Sequence, residues 1–313
     1  MSNPYQPPTA PPALSPELAA AAMLQSMKFQ LDPSINWQLE KMFPKLTGWG
    51  AKGNIKRQAK LAKQVEPILL RVLAEGEQVL FVAKGIRYSF AEQYLMGALW
   101  AQMINHTVFV LTNARLLMLH SNGKGKPRDT AWMIYYSEID TFKGSWTGMV
   151  DVKLKDGSKI RFSGFAKHDR KIMPDLFKEA LGHYRESGFA PQTSQSCENL
   201  CFHCFEAVPK DSYRCEACSA EFWQPSQIAV RSLMFPSWGD IIMKHYPLAA
   251  VELIGYLVGW GVVLVHLSNE VDPLDRYLPL VLFILFSHGV DATMTYYVAK
   301  KGLHLRRIPT GAQ

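Results

Sequence analysis

Residues 201–218 read CFHCFEAVPKDSYRCEAC, in which two Cys-x-x-Cys pairs are separated by ten residues. The four thiols belong to Cys201, Cys204, Cys215 and Cys218. Each pair can form a tight knuckle that directs two sulfur atoms towards one metal ion, and four thiolates complete a tetrahedral zinc site. The sequence therefore predicts a structural zinc site. A mononuclear iron site fits the same ligands, but zinc is the usual metal of a structural four-cysteine site.

The segment 197–225 around this motif resembles a rubredoxin-like zinc ribbon. The metal is expected to fold a module that is too small to bury a core of its own. Zinc with four protein ligands has no open position, so hydrolysis at this metal is not expected. Acidic residues outnumber Lys210 and Arg214 in the segment, which disfavours nucleic-acid binding and favours a protein contact.

Two apolar stretches, 247–267 and 277–299, follow the cysteine motif. Each has about the length that a helix needs to cross a bilayer core of about 30 Å. The composition agrees, because 48% of the residues are hydrophobic and only 19% are charged. The alternative is a buried helical pair in a soluble protein. The preferred prediction is a membrane anchor of two helices.

The charges around these stretches predict their orientation. The connecting residues 268–276 contain three acidic side chains and one arginine, whereas basic residues flank the outer ends. Those basic residues are Lys244, Lys300, Lys301, Arg306 and Arg307. Basic flanks remain in the cytosol, and reduced thiols also belong there. The first residues lack the apolar core of a signal peptide. We therefore predict an inner (cytoplasmic) membrane protein with both termini in the cytosol.

Polar residues interrupt the apolar stretches, and the functional candidates among them are Glu252 in the first, and His288 and Asp291 in the second. His288 and Asp291 are three residues apart on one helix face, at a depth that Glu252 also reaches. Such residues can relay protons or bind a cation, or they can simply hydrogen-bond neighbouring helices. Gly255 and Gly259 would admit a close neighbour, which favours assembly with further copies or with a larger membrane protein.

Residues 75–186 predict a different kind of domain, made of short strands followed by one helix. The strand candidates are 78–87, 106–111, 115–121, 130–136, 139–143, 149–155 and 159–162, and the helix is 169–185. Seven short strands closed by a helix are typical of a small antiparallel barrel or sandwich. The fold class predicted for the chain is therefore a multidomain α+β membrane protein.

Three motifs in this domain carry a resemblance: EGEQVL at 75–80, VFVLTNARLL at 108–117 and YSEI at 136–139. They resemble bacterial pleckstrin-homology-like domains over about a third of the chain, and the Leu-Thr-x-x-Arg turn is the most specific of them. The resemblance implies an antiparallel barrel with a binding or assembly role, often near membranes, without catalysis. One departure is the mostly apolar insert at 89–105, where the family has a short loop. No clustered basic loop occurs there, so specific inositol-lipid recognition is not expected.

The stretch VDVKLKDGSKIRF, residues 150–162, alternates strictly and predicts a hairpin with one basic face. That face contains Lys153, Lys155, Lys159 and Arg161. With a turn at 156–158, Lys155 would oppose Lys159 and Lys153 would oppose Arg161. Opposed like charges are mildly destabilising, so the face is either an anion-binding or membrane-surface site, or an ordinary solvated surface.

The remaining segments connect or extend these modules. An amphipathic basic stretch at 55–74 can pack on the next domain or lie on a membrane surface. The predicted divisions are a disordered tail at 1–14, a helical region at 15–74, linkers at 187–196 and 226–246, and a basic cytosolic tail at 300–313.

The formal net charge of +7 favours anionic partners. The sequence shows no nucleophile elbow, phosphate loop or open metal site, so an enzyme is not predicted. The expected function is a membrane-anchored adaptor or accessory subunit that recruits a membrane-protein partner or forms a homo-oligomer. The alternatives are an ion- or proton-handling membrane subunit, and nucleic-acid binding through the ribbon.

Overall fold

The chain is an α+β protein with a large antiparallel sheet and two apolar helices near its C-terminus. The computed structural model describes residues 15–88, 92, 94, 97–268 and 272–308, so the predicted disordered tail 1–14 and part of the insert lie outside the described residues. The helices are α1 (Pro16–Ser26), α2 (Leu39–Met42), α3 (Ala51–Val72), α4 (Ala98–Ile104), α5 (Asp169–Ser187), α6 (Pro225–Met234), α7 (Trp238–Ile242), α8 (Tyr246–Leu267), α9 (Pro273–Ile284) and α10 (Asp291–Ala299). A π-helical turn, Leu285–Val290, joins α9 to α10.

The strands form one large sheet and one small one. They are β1 (Asn36–Trp37), β2 (Gln78–Tyr88), β3 (His106–Thr112), β4 (Arg115–Ser121), β5 (Pro127–Tyr135), β6 (Ile139–Gly144), β7 (Val150–Leu154), β8 (Lys159–Ser163), β9 (Glu198–Leu200), β10 (Ala207–Val208), β11 (Glu221–Trp223) and β12 (His304–Arg307). The large sheet has the order β10-β9-β5-β4-β3-β2-β8-β7-β6, with β1 parallel to β2, and β11 pairs with β12. The seven predicted strands overlap β2–β8 one by one, and the predicted helix overlaps α5, so these predictions are confirmed.

The described strands do not close into the predicted barrel. The sheet is an open path whose ends are β10 and β6. A short 3₁₀ turn, Tyr136–Glu138, separates β5 from β6, and the outer edge of β5 pairs with β9 instead. The segment 197–225, called the cysteine module below, therefore occupies the edge of β5 at which a barrel would have to close.

The central strands are buried on both faces. In β3, Val108 and Val110 pack into a core beneath α1 and α3, whereas Phe109 and Leu111 pack into a core formed with β6–β8 and α5. All four side chains have 0% exposure. A strand covered on both sides needs a continuous apolar run rather than alternating apolar and polar residues. Burial of each such side chain stabilises the folded state by about 1.5–3 kcal/mol.

The basic amphipathic stretch 55–74 lies mostly in helix α3, and the packing of this helix decides between the two interpretations of the stretch. Its apolar face, which includes Ile55, Val65 and Leu69, is buried against the sheet, while Lys56 and Lys60 remain exposed. The hydrophobic side of the helix is thus covered by protein, so α3 packs on the next domain and does not lie on a membrane.

The Leu-Thr-x-x-Arg turn is held by a buried network. The Thr112 hydroxyl donates to the Arg115 carbonyl oxygen at 2.9 Å and accepts the Arg115 backbone N–H at 3.0 Å. The Arg115 guanidinium forms two hydrogen bonds with the Glu77 carboxylate, at 3.0 and 2.8 Å, and a third with the Val72 carbonyl oxygen at 2.6 Å. This bidentate pair joins the start of β2 and the end of α3 to the β3–β4 turn.

The two apolar helical segments, Tyr246–Leu267 and Leu274–Ala299, are long and apolar enough to cross a membrane, with mean hydropathies of 2.1 and 1.5. Only 17% and 11% of their most apolar windows are buried, whereas the core helix of a soluble protein would be mostly buried. Gly259 lies against the Phe283 ring of the other segment, and Phe283 also stacks on Tyr256. The small residue thus allows close contact within the helical pair itself.

We expect Arg115→Met to lower the free energy of unfolding by about 3–5 kcal/mol, because it leaves the Glu77 carboxylate buried without a counter-charge. Adding Glu77→Gln should recover much of this loss. Chemical denaturation in detergent measures both changes. As a control, Lys41→Met breaks the partly exposed pair with Glu179 and should cost about 1 kcal/mol or less. Equal losses for the Arg115 and Lys41 variants would contradict this account.

Candidate functional site

The four predicted thiol ligands lie together. Their Sγ atoms are all within 4.8 Å of one another, with 3.5 Å between those of Cys201 and Cys218 and 3.5 Å between those of Cys204 and Cys215. None of the four forms a disulfide. Tetrahedral zinc–sulfur bonds of about 2.3 Å place sulfur atoms about 3.8 Å apart. The cluster therefore fits one metal ion, and a set of four thiolates leaves no position on that ion for a substrate.

Two similar backbone knuckles position these thiols. Phe205 and Ser219, each directly after a Cys-x-x-Cys pair, adopt left-handed backbones with φ of 63° and 57°. The Phe205 N–H donates to the Cys201 carbonyl oxygen at 2.7 Å, and the Ser219 N–H donates to that of Cys215 at 2.8 Å. Each turn thus reverses the chain around its own cysteine pair. Cys197 is packed against the second core of the sheet and does not belong to the cluster.

The cysteine module connects two distant parts of the chain. On one side, β9 pairs with β5, where Leu200 lies opposite Ala131. On the other side, β11 pairs with β12, where Phe222 lies opposite Leu305. Strand β12 follows the second apolar segment directly, so part of the predicted basic tail is a strand of this module. The module thereby ties the large sheet to the end of the helical pair.

A second set of contacts reinforces this connection. The Trp132 indole N–H donates to the Lys301 carbonyl oxygen at 2.7 Å. The Lys301 ammonium forms an ion pair with Glu92 and donates to Asn105 Oδ1 at 2.9 Å. Glu92 and Asn105 belong to the apolar insert, whose helix α4 buries Ile104 against the ends of α8 and α10. The described part of the insert is therefore packed beside the apolar helices.

The polar residues of the apolar segments divide into two groups. Oxygen atoms of Glu252 and Asp291 lie within 4.8 Å of each other and of Asp240, which is in α7 and was not predicted from the sequence. His288 makes its hydrogen bonds outside this cluster, with Nδ1 2.8 Å from the Leu233 carbonyl oxygen and Nε2 3.2 Å from the Tyr256 hydroxyl. The structure thus brings Glu252 and Asp291 together, whereas His288 joins the two apolar segments at another point.

Asp240 is held by neighbours from the segment predicted to be a linker. Its side chain is 4% exposed and lies 3.1 Å from His245 Nδ1. Burial, followed by repulsion from Asp291, raises the pKa of Asp240 to about 7. A sequence signal was available in the turn-forming residues Ser-Trp-Gly-Asp, 237–240, directly before the first apolar stretch. Nothing in that pattern, however, indicates which distant carboxylates it meets.

Three histidines from separate elements, two of them buried and one half-buried, meet between the sheet and the apolar helices. They are His120 in β4, His245 before α8 and His304 in β12, and the rings of His120 and His245 are 5.8 Å apart. His120 Nε2 lies 2.9 Å from the Ile104 carbonyl oxygen, to which its N–H donates. Burial lowers the pKa of His120 and His245 to about 3 and that of His304 to about 4. All three are therefore neutral at pH 7.

The basic hairpin has the predicted faces but a different register. Lys153 lies opposite Lys159, and Arg161 lies opposite Asp151, so the predicted pairing is wrong by two residues on one strand. The reason is a longer connection, in which the Leu154 N–H donates to the Ser158 carbonyl oxygen. This register replaces one of the two opposed like-charge pairs with an ion pair.

Acidic neighbours compensate much of the predicted basic face. Lys153 pairs with Asp140 at 2.6 Å, Arg161 pairs with Asp151 at 2.5 Å, and Lys155 lies 3.8 Å from Glu138. Lys159 forms no ion pair among the described residues. The face borders an open cleft of about 660 Å³ to which Arg87 and Lys143 add further positive charge. Lys301 also lines the cleft, but its ammonium is paired with Glu92. The cleft remains net basic, although less so than the sequence alone predicts.

Comparison with known proteins adds little. No protein-family model and no curated protein matches the chain. Solved structures similar to part of the chain include the crystal structure of the C-terminal domain of an unknown protein from Leishmania infantum. The identity is 15%, 38% of this chain and 92% of that chain are covered, and the TM-score is 0.27. A similarity at this level indicates neither fold nor function.

We expect Cys204→Ser to remove the bound metal and to lower the unfolding temperature, because three thiolates no longer complete the tetrahedral site. Metal content of the purified protein and thermal unfolding in detergent measure the two effects. Cys197→Ser is the matched control, since Cys197 is a packed thiol outside the cluster, and it should retain the metal. Full metal content in the Cys204 variant would contradict the assignment.

We expect the contribution of the three histidines between the sheet and the apolar helices to the free energy of unfolding to fall as the pH drops below about 6.5, whereas the raised pKa of Asp240 acts in the opposite direction. A histidine whose folded pKa is depressed binds a proton more readily in the unfolded chain, so its contribution is complete above the unfolded pKa and is lost towards the folded one. His120→Gln should make the pH dependence shallower, as measured by denaturation across this range. His183→Gln is the control, because the His183 side chain is 71% exposed, and an equal effect of both variants would contradict the prediction.

Proposed function

We propose that this protein is a non-enzymatic, membrane-anchored adaptor that presents a sheet domain and a zinc ribbon on the cytosolic side of the inner membrane. The observation that carries the proposal is the double pairing of the cysteine module, through β9 to the large sheet and through β12 to the end of the apolar helices. A metal in this module has a structural role, because four thiolates fill its coordination shell and leave no position for a substrate. It holds together the parts of the module that pair with the sheet and with the end of the helices. The role is structural, and zinc suits it better than redox-active iron.

Apolar surface beside the two long helices supports the anchoring role. Helices α4, α6 and α7 expose large hydrophobic side chains next to α8 and α10, among them Leu99, Val230, Leu233, Met234 and Ile241. Exposed apolar patches of this kind mark contacts with a membrane or another protein. Together with the exposed side chains of the two long helices, they offer apolar surface that a bilayer would cover.

The charges around the helices support a cytosolic sheet domain. Lys244, Lys300 and Lys301 lie at the ends of the helices nearest the sheet, and Asp272 and Asp275 lie at the opposite end. Positive residues favour the cytosolic side. Thiolate ligands also require a reducing compartment, so both arguments give the same orientation.

The expected partner is a membrane protein with an acidic cytosolic segment. The strand arrangement of β2–β8 with α5 supports a pleckstrin-homology-like domain with a binding role, even though the sheet is open. The basic cleft contains Lys143 and Lys159 on exposed strand faces, close to Lys301 at the membrane-proximal end. An acidic segment that emerges from the membrane beside the anchor would meet this cleft. Nucleic-acid binding by the ribbon is disfavoured, because acidic residues outnumber basic residues in it.

A second candidate function is ion handling by the intramembrane carboxylates. The observation that favours it is the convergence of Glu252 and Asp291 from separate apolar segments. Because His288 is bonded elsewhere, the arrangement favours a cation over a proton relay through all three predicted residues.

The adaptor proposal is tested by isolating the full-length protein from its own cells in mild detergent and identifying the membrane protein that accompanies it. We expect Lys143→Glu combined with Lys159→Glu to reduce recovery of that partner at least tenfold, because the cleft loses its positive charge. Lys52→Glu combined with Lys56→Glu, on the exposed face of α3, makes the same charge change away from the cleft and should leave recovery intact. Equal recovery of the partner by both double variants would contradict a role of the cleft. Protein that stays in the supernatant without detergent would contradict membrane anchoring.

A further inference from the structure

We propose that Asp240, Glu252 and Asp291 form a binding site for one hard divalent cation of the Ca²⁺ or Mg²⁺ class, at the junction between the cytosolic part and the apolar helices. The three carboxylates come from three separate elements: α7, the beginning of α8 and the first residue of α10. One oxygen atom of each lies within 4.8 Å of the other two. The site therefore exists only in the folded chain.

The cluster lacks a matching positive charge in the described part of the chain. No lysine or arginine there forms an ion pair with any of the three carboxylates, and His245, which faces Asp240, is itself buried. Like-charged carboxylates at this separation repel each other strongly when water is largely excluded. A bound cation removes the repulsion between all three groups at once.

Buried oxygen atoms without partners are the second, independent observation. The Ser237 side chain has 0% exposure, and its hydroxyl makes no hydrogen bond of good geometry with any described residue, although it faces the Glu252 carboxylate. Glu252 Oε2 is likewise buried without a hydrogen-bond partner among those residues. Buried polar atoms are normally satisfied. The Ser237 hydroxyl and the Glu252 carboxylate face each other without forming a hydrogen bond of good geometry, so both oxygen atoms are available to a cation.

The backbone around Ser237 holds this hydroxyl in place. Ser237 has a φ of 72°, in the left-handed region that a serine seldom adopts. Its N–H donates to Asp291 Oδ2 at 2.8 Å, and Thr295 Oγ1 lies 3.4 Å from Asp291 Oδ1. The turn is thus fixed against the second apolar segment, which directs both the Ser237 hydroxyl and Asp240 towards Glu252.

The chemistry of the ligand set selects the class of ion. All the ligand atoms are oxygens, which suit Ca²⁺ and Mg²⁺ rather than the thiolate-bound metal of the cysteine cluster. Ca²⁺–oxygen distances of about 2.4 Å allow ligands on opposite sides of the ion to lie about 4.8 Å apart, whereas Mg²⁺ at about 2.1 Å requires a slightly tighter cluster. A spacing within 4.8 Å is compatible with Ca²⁺, and it is compatible with Mg²⁺ if the oxygen atoms lie within about 4.2 Å of one another.

A cation here would pin α7 to both apolar segments. It would fix the cytosolic part against the membrane helices at a point separate from the cysteine module. The site deepens the second candidate function, on which this inference rests, by adding Asp240 and Ser237 to the predicted carboxylates. It does not depend on the adaptor role, since cation binding requires no partner protein.

The test uses full-length, zinc-loaded protein in detergent and in buffer freed of other divalent ions. Thermal unfolding and calorimetric titration are followed as Ca²⁺ or Mg²⁺ is added to millimolar concentration. We expect one equivalent of one of these ions to bind and to raise the unfolding temperature. Glu252→Gln should weaken binding at least tenfold. Without added ions it should unfold at the same or a higher temperature than the wild type, because an amide replaces a carboxyl group that is crowded by Asp240 and Asp291.

Two further variants make the result decisive. Asp240→Asn should behave like Glu252→Gln, and it replaces that variant if the latter fails to fold. Asp272→Asn removes an exposed carboxylate at the opposite end of the helical pair and should bind the ion like the wild type. The proposal is overturned if folded wild-type protein binds neither ion at millimolar concentration, or if the cluster variants respond as the wild type does. Recovery of a partner protein is measured separately, so failure of the cation site leaves the adaptor test intact.

Discussion

The fold depends on a joint that is too small to be stable by hydrophobic burial alone. Strands β9 and β11 are each three residues long, yet one extends the large sheet and the other pairs with the strand that follows the apolar helices. Between them lie the four clustered thiols and a small apolar core that includes Val208, Phe222 and Leu303. Metal–thiolate bonds can supply folding energy that a module of this size lacks. The four thiols and this small core therefore lie where the sheet is joined to the end of the helical pair.

Features encoded locally could be predicted from the sequence. The strands β2–β8, the helix α5, the cysteine cluster and the apolar helices each follow from a pattern within one short segment. Leu116 and Met118 face one core while Leu117 and Leu119 face the other, and an unbroken apolar run is the expected signature of such a strand. The Leu-Thr-x-x-Arg turn could also be predicted, because its hydrogen bonds are local and join Thr112 to Arg115, three residues later in the chain.

Features that depend on distant partners could not be predicted. His120, His245 and His304 meet only because three elements converge, and none carries a local signal. Asp240 reads as a turn residue until Asp291 is placed beside it. The residues HLRR at 304–307 look like a solvated basic tail, since the pairing that makes them a strand is with β11, about eighty residues earlier in the sequence. The predicted register of the basic hairpin is wrong for a local reason, because the loop is longer than the minimal turn around Gly157.

The late position of β12 in the chain has a consequence for biosynthesis. Both apolar segments emerge from the ribosome before residues 304–307 do, so the small β11–β12 sheet can close only after the helical pair has been synthesised. Until that closure, β11 presents an open strand edge. The connection between the cysteine cluster and the helical pair is thereby completed by some of the last residues of the chain to be made. A product whose translation stops early presents an unpaired edge that cellular proteases and chaperones can detect.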